Sequence, residues 1–223
     1  MAFDQSTGQL VLFGGMDDTF EVNETTWVWD GADWTLQTPT TSPARTGASM
    51  AFDPQRGDLI LFGGQDETFD YTDDTFAWDG SDWTLLAPES SATARSLGTM
   101  AFDQSTGQMV LFGGGNGGFL DDTWTWDGED WTQQSPAHSP SGRFYTDMAF
   151  DQSSGDLVLF GGNSGSGVQG DTWSWDGEDW TQLSPATSPS ARRAMSMAFD
   201  ESTGRLVLFG GDSDNGATVH DAT

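Results

Sequence analysis

The sequence predicts an all-β chain built as a β-propeller segment, with four complete four-stranded blades followed by the first two strands of a fifth. Three observations predict it. The block MAFDQSTGQLVLFGG at Met1 returns in near copies at Met50, Met100, Met148 and Met197, a spacing of 48 to 50 residues. A second module, TTWVWDGADWT at Thr25, returns as DTFAWDGSDWT at Asp74, DTWTWDGEDWT at Asp122 and DTWSWDGEDWT at Asp171. No stretch carries helical periodicity. A period of this length means one supersecondary unit stacked on copies of itself, so residues 1–223 form a single repeat domain with units starting at 1, 50, 100, 148 and 197.

Each unit reads as four strands separated by turn chemistry. The first strand alternates around Met50 and Phe52 and ends in DPQRG, where Gly57 can take the positive φ that closes a hairpin. The second, LILF, runs into Gly63 and Gly64, and its unbroken apolar character calls for cover on both faces. The third, TWVW, places Trp27 and Trp29 on one face by period-two alternation. Asp30 and Gly31 open a tight turn, the fourth strand starts at Trp34, and Pro39 and Pro43 punctuate the connection onward.

A sandwich, a β-solenoid and a propeller all fit short antiparallel strands, and residue size separates them. Small residues (Ala51, Gly63, Gly64) fall on the first two strands and tryptophans on the third and fourth. Blades that diverge with radius need that gradient.

Composition narrows the function. The 35 acidic residues against seven arginines and no lysine give a formal net charge of −28, which repels nucleic acid and anionic lipid. Acidity of this degree suits a disordered chain, but 11 Trp and 15 Phe at regular spacing supply a core. The absence of cysteine removes disulfides, thiol nucleophiles and thiolate metal sites. Apolar runs such as Leu10 to Phe13 are far too short to span a bilayer, and no targeting signal is visible.

A diglycine ending an apolar strand, an aromatic pair some 12 residues on, a Trp after a tight turn, then Pro and Arg: this succession resembles the kelch repeat, of the aspartate-rich kind in bacterial secreted proteins, over the whole chain. Phe76 departs from it by replacing the first Trp of its pair. WD-type propellers are less similar, since their Gly-His pair is missing. The resemblance implies a ring of six or seven blades, of which this chain is a segment, and a location outside a bacterial or archaeal cell. The fifth unit stops at HDAT, with Thr223 aligned to Thr26, so the expected partners include missing blades of the same chain or self-association through open blade faces. Copper-oxidase chemistry, known in some kelch-like propellers, needs a cysteine that is absent here.

The recurring polar groups read first as structural. The diglycines at Gly14, Gly63, Gly113, Gly161 and Gly210 precede no helix, so close backbone approach accounts for them better than phosphate binding. Arg45, Arg95, Arg143 and Arg192 recur at one place and read as ion pairs with neighbouring blades rather than as an anion site. The D-G-x-D turns (Asp30 and Asp33, Asp79 and Asp82, Asp127 and Asp130, Asp176 and Asp179) read as Asx turns, since two carboxylates fall short of a calcium shell. Asp212 to Gly216, DSDNG, is one residue short of a calcium loop. His138 and His220 lie in connections with no serine or cysteine motif near them, and 35 acidic residues make the presence of a glycosidase carboxylate pair uninformative.

Comparison of the copies locates the candidate binding surface. The segment after each diglycine varies (MDDTFEVNE, QDETFDYTD, GNGGFLD, NSGSGVQG, DSDNGATVH), as do the residues after each arginine, whereas the other turns hardly change. Strand alternation puts the two variable regions on one face. The candidate ligand-binding residues are Phe20, Phe69, Tyr71, Phe119, Leu120, Phe144, Tyr145 and Arg193. The expectation is a non-enzymatic module, without cofactor or metal, that presents this face to a protein or glycan. The alternative is the propeller part of a secreted carbohydrate-active enzyme.

Overall fold

The structure, a computed structural model, describes residues 1–213 and the backbone of 218–219; His220, Thr223 and the end of the DSDNG segment lie outside the described residues. Every described element is a strand or an antiparallel bridge. The four complete units form four-stranded antiparallel sheets in chain order. The first sheet is β1 (Ala2–Asp4), β2 (Gln9–Phe13), β3 (Thr26–Trp29) and β4 (Trp34–Leu36); the second is β5 (Ser49–Asp53), β6 (Asp58–Phe62), β7 (Thr75–Trp78) and β8 (Trp83–Leu86). The third is β9 (Thr99–Asp103), β10 (Gln108–Phe112), β11 (Thr123–Trp126) and β12 (Trp131–Gln133). The fourth blade is β14 (Asp147–Asp151), β15 (Asp156–Phe160), β18 (Thr172–Trp175) and β19 (Trp180–Leu183), and a small sheet beside it pairs β13 (Arg143–Phe144), from the end of the third unit, with β16 (Asn163–Ser164) and β17 (Gly167–Val168). In the fifth unit β20 (Arg193–Asp200) and β21 (Arg205–Ser213) run on without that break, and β22 (Thr218–Val219) pairs with the end of β21. The sequence reading of an all-β propeller segment of blades therefore holds.

The turns form for the anticipated reasons. The Asp53 carboxylate accepts the N–H groups of Gln55 and Arg56, and Gly57, at φ +78°, returns its N–H to the Asp53 carbonyl at 2.8 Å. Without a β-carbon, Gly57 takes this left-handed conformation at little cost.

By compactness the chain divides into two units, Met1–Ser96 with Trp126–Thr132, and Leu97–Thr125 with Gln133–Thr223. In the first, Val11 and Val28 of the first blade pack on Leu59, Leu61, Phe76, Trp78 and Trp83 of the second. Register explains the grouping: Leu59 pairs with Trp78 and Leu61 with Phe76, so period-two alternation turns all four side chains the same way. In the second unit, Val110 and Phe112 pack likewise on Met148, Leu157, Leu159, Trp175 and Trp180.

One joint repeats through both units. The Trp that opens a fourth strand lies on the Phe before the preceding diglycine, with ring centroids 4.6 Å apart for Trp83 on Phe13, 4.9 Å for Trp131 on Phe62 and 5.2 Å for Trp180 on Phe112. Each indole N–H donates at 2.9 Å to a buried threonine hydroxyl, that of Thr26, Thr75 or Thr123. A buried indole otherwise leaves its donor unsatisfied, which is why a threonine stands at the head of the third strand.

Candidate binding surface on the variable loops

The site is built on a backbone clasp. The first glycine of each diglycine has positive φ, and a β-carbon would stand 2.6 Å from the Arg95 carbonyl oxygen at Gly63 and 2.5 Å from that of Arg143 at Gly113. The second glycine donates its N–H to the same carbonyl, Gly64 to Arg95 and Gly114 to Arg143, each at 2.8 Å. Close approach is thus the diglycine's role.

The arginine side chains then reach into the following blade. Arg143, fully buried, donates to the Gly161 carbonyl at 2.9 Å and to the Asp171 carboxylate at 2.6 and 3.0 Å; Arg45 makes a single contact to Asp74 and donates to the Ala44 carbonyl at 2.7 Å. Burial opposes ionisation of Asp171, but hydrogen bonds from Arg143 and Trp173 together with the guanidinium charge outweigh it and hold the carboxyl below its ordinary value. Arg45 and Arg143 are ion-pair ties to the following blade, as the sequence suggested, and Arg192 reaches the Gly210 carbonyl at 3.1 Å.

Beside the clasp, the residue after an arginine also meets the loop that follows the next diglycine. Thr46 and Gln65 exchange backbone hydrogen bonds at 2.8 and 3.0 Å, and Phe144 pairs with Asn163. In the second unit this assembles an aromatic surface. Phe119 and Phe144 stack at 4.8 Å with planes 9° apart, and Tyr145 meets Phe144 edge-on at 5.3 Å. Phe119 and Tyr145 are exposed and Phe144 is half-buried. Glycines keep the surface open: a β-carbon at Gly115 would lie 3.4 Å from the Phe144 ring, and one at Gly165 would lie 3.8 Å from Phe119. Leu120 serves as backbone support, accepting the Arg143 N–H at 3.1 Å.

Sequence reasoning missed the polar side of this surface. Gly165 sits in the tight hairpin between β16 and β17, where Gln169 Nε2 donates to the hydroxyls of Ser164 (2.9 Å) and Ser166 (3.1 Å). The segment NSGSGVQG carries no periodic or turn signal that singles out these three residues. Also missed was the strain at Tyr145, a non-glycine residue at φ +57°. Its N–H donates to the Leu97 carbonyl at 3.2 Å, and its own carbonyl accepts the Ala194 N–H at 2.9 Å. Leu97 and Ala194 share its left-handed conformation, so three units spend strain at one place.

The remaining candidates divide. Arg193 is engaged in an ion pair with Asp212 at 2.9 Å. Phe20 and Phe69, in the first unit, are exposed at φ +64° and +63°, each thrust out by a loop that an aspartate organises. The Asp66 carboxylate accepts the hydroxyl and N–H of Thr68 and the N–H of Asp70, and Asp17 does the same with Thr19 and Glu21. These hydrogen bonds, the threonine hydroxyl first, hold both carboxyls below their ordinary value. Tyr71, exposed, follows Phe69 on the same loop and bridges Gln65.

From the second blade on, both D-G-x-D aspartates are occupied in the fold. The first caps its turn, Asp127 accepting the N–H groups of Glu129 and Asp130 at 2.9 Å. The second holds the connection from the preceding blade: Asp179 accepts the His138 N–H at 2.8 Å and meets its ring Nδ1 at 2.8 Å. Among the described residues no group of three or more His, Asp or Glu side chains is arranged to hold a metal ion.

Compared with known proteins, the chain matches no family model and no curated sequence.

Proposed function

We propose that the chain is a kelch-type propeller segment acting as a non-enzymatic recognition module outside the cell, and that its ligand is a glycan held on the loops of the second unit. The observation that carries this reading is the open aromatic surface of Phe119, Phe144 and Tyr145 beside the hydroxyl of Ser166 and the amide of Gln169, which the buried Ser164 hydroxyl holds in place. A flat apolar platform next to donors and acceptors suits a pyranose, which offers C–H groups on its face and hydroxyls at its rim. The formal charge of −28 turns anionic ligands away and favours neutral or cationic ones.

The test is a glycan array run beside a pull-down from the native medium. Phe119→Ser and Tyr145→Asn, the latter keeping a residue that tolerates left-handed backbone, should each weaken binding by roughly 30-fold or more, as loss of an aromatic anchor does. Substitutions at Gln104 and Glu129, in the constant turns, should leave it unchanged. A ligand lost only on the constant-turn substitutions would put the site on the wrong face, and capture of a protein with a blank array would replace the glycan by a protein partner.

A further inference from the structure

Of the chain's four asparagines only Asn23 is followed two residues on by a hydroxyl, in the triplet Asn23, Glu24, Thr25. Asparagine and threonine at that spacing, with no proline between them, form the acceptor pattern for an N-linked saccharide. The structure shows what the first unit gave up to carry it. The Asn23 N–H donates to the Gly15 carbonyl at 2.8 Å, and those of Thr72, Leu120 and Gln169 donate to Gly64, Gly114 and Gly162 at 2.8–2.9 Å, so these four residues are counterparts. The later three are each followed two residues on by an aspartate with structural work: Asp74 pairs with Arg45, Asp122 accepts the Trp124 indole N–H, and Asp171 holds Arg143 and Trp173. The first unit departs at both places, with Asn23 and Thr25, and the acceptor pattern needs both departures. Gln169, in a blade with a neighbour on each side, is half-buried just as Asn23 is, so the position stays open within an array of blades.

We propose that Asn23 is a glycan attachment site. Its side chain is already set for the reaction. Asn23 Oδ1 accepts the Thr25 N–H at 2.8 Å, a local turn that fixes the amide, and no hydrogen bond among the described residues holds Nδ2. A hydrogen bond accepted at Oδ1 also stabilises the negative charge that gathers there as Nδ2 gives up a proton, which is what makes an amide nitrogen nucleophilic. The loop is at the surface, with Glu21 and Glu24 exposed on either side of the acceptor. The donor is a saccharide carried on a lipid diphosphate. Nδ2 bonds to the anomeric carbon, the bond from that carbon to the diphosphate oxygen breaks, the lipid diphosphate leaves with the electron pair, and the amide proton passes to a base of the transferase. A bulky, hydrated saccharide on this loop adds to solubility without touching the core. The inference rests on the location outside the cell given in the reading above, and not on the glycan-binding surface of the second unit.

Peptide mass spectrometry of the full-length protein, recovered from the medium of its native cells, tests this. The peptide that contains Asn23 should carry a saccharide mass, with fragment ions placing it on Asn23. Thr25→Ser should keep the modification, whereas Thr25→Asp and Asn23→Gln should lose it. The repeats show that both of these changes suit the fold, since Asp74, Asp122 and Asp171 stand at the place of Thr25 and Gln169 at that of Asn23. Both variants should therefore reach the medium folded, with melts close to that of the parent protein stripped of saccharide. A secreted protein with bare Asn23, or a modification that survives Thr25→Asp, would overturn the proposal and leave the recognition reading standing. A protein found only inside the cells would overturn both, and a blank glycan array beside a modified Asn23 would overturn the glycan ligand alone while supporting the attachment site.

Discussion

Replacing Thr123 by Val removes one oxygen from the joint between the third and fourth blades and changes almost nothing else. Trp180 Nε1 donates to the Thr123 hydroxyl at 2.9 Å, with ring and hydroxyl both buried. Valine keeps the shape but strands the indole N–H away from water, a loss of about 1–3 kcal/mol. At roughly 2–4 °C per kcal/mol for a chain of this size, the melting temperature should fall by about 2–12 °C. Thr123→Ser, which keeps the oxygen and loses one methyl, should cost only about 0.8 kcal/mol. The repeat supplies its own control. Thr172 holds the same place in the fourth unit, but no indole donates to it among the described residues, so Thr172→Val should stay within about 0.5 kcal/mol of the parent. Thermal melts followed by near-ultraviolet circular dichroism would decide it. A Thr123→Val protein as stable as the parent, or a Thr172→Val protein equally weakened, would refute the reasoning.

Gly113→Ala should be the more damaging of two glycine changes in urea unfolding: Gly57→Ala, with open space around it, should cost about 1–2 kcal/mol for left-handed backbone alone, whereas at Gly113 the carbonyl of Arg143 adds a clash. Arg143→Met should lose about 3–5 kcal/mol because it strands Asp171 in a partly buried place, while Arg193→Met, at a more exposed pair, should lose about 1 kcal/mol or less. Stability should fall in acid. The hydroxyls of Ser202 and Thr203 hold Asp200 down to about 2, and a carboxyl depressed in the folded state stabilises it fully above the unfolded value and ceases to do so as pH falls through the folded one. Burial pushes Asp147 and Asp156 up, so their contribution has the opposite sign and stability declines as they ionise with rising pH. Melting temperature against pH should therefore peak in the mildly acidic range and drop toward pH 2, and at pH 7 added salt should raise it by screening the net charge of −28.

The sequence by itself determined the blade. Repetition fixed the unit, and period-two alternation fixed which side chains share a face. Glycine at Gly57 and aspartate at Asp53 fixed the turn, because hydrogen bonds and dihedral limits within a few residues act without reference to the rest of the chain. It also pointed to the loops of the candidate surface, since Phe119, Phe144 and Tyr145 stand where the copies differ. Only the tertiary structure decided how these residues are used. Phe119 and Phe144 lie 25 residues apart on two separate loops of the third repeat and stack because the diglycine clasp brings those loops together. Arg193, alike in chemistry to a ligand-binding residue, is committed to Asp212. The threonine that accepts each tryptophan's N–H stands 56 or 57 residues before it, a pairing across blades that no local pattern encodes. Contacts between repeats depend on how one blade's surface meets the next, and that meeting exists only once the blades are packed.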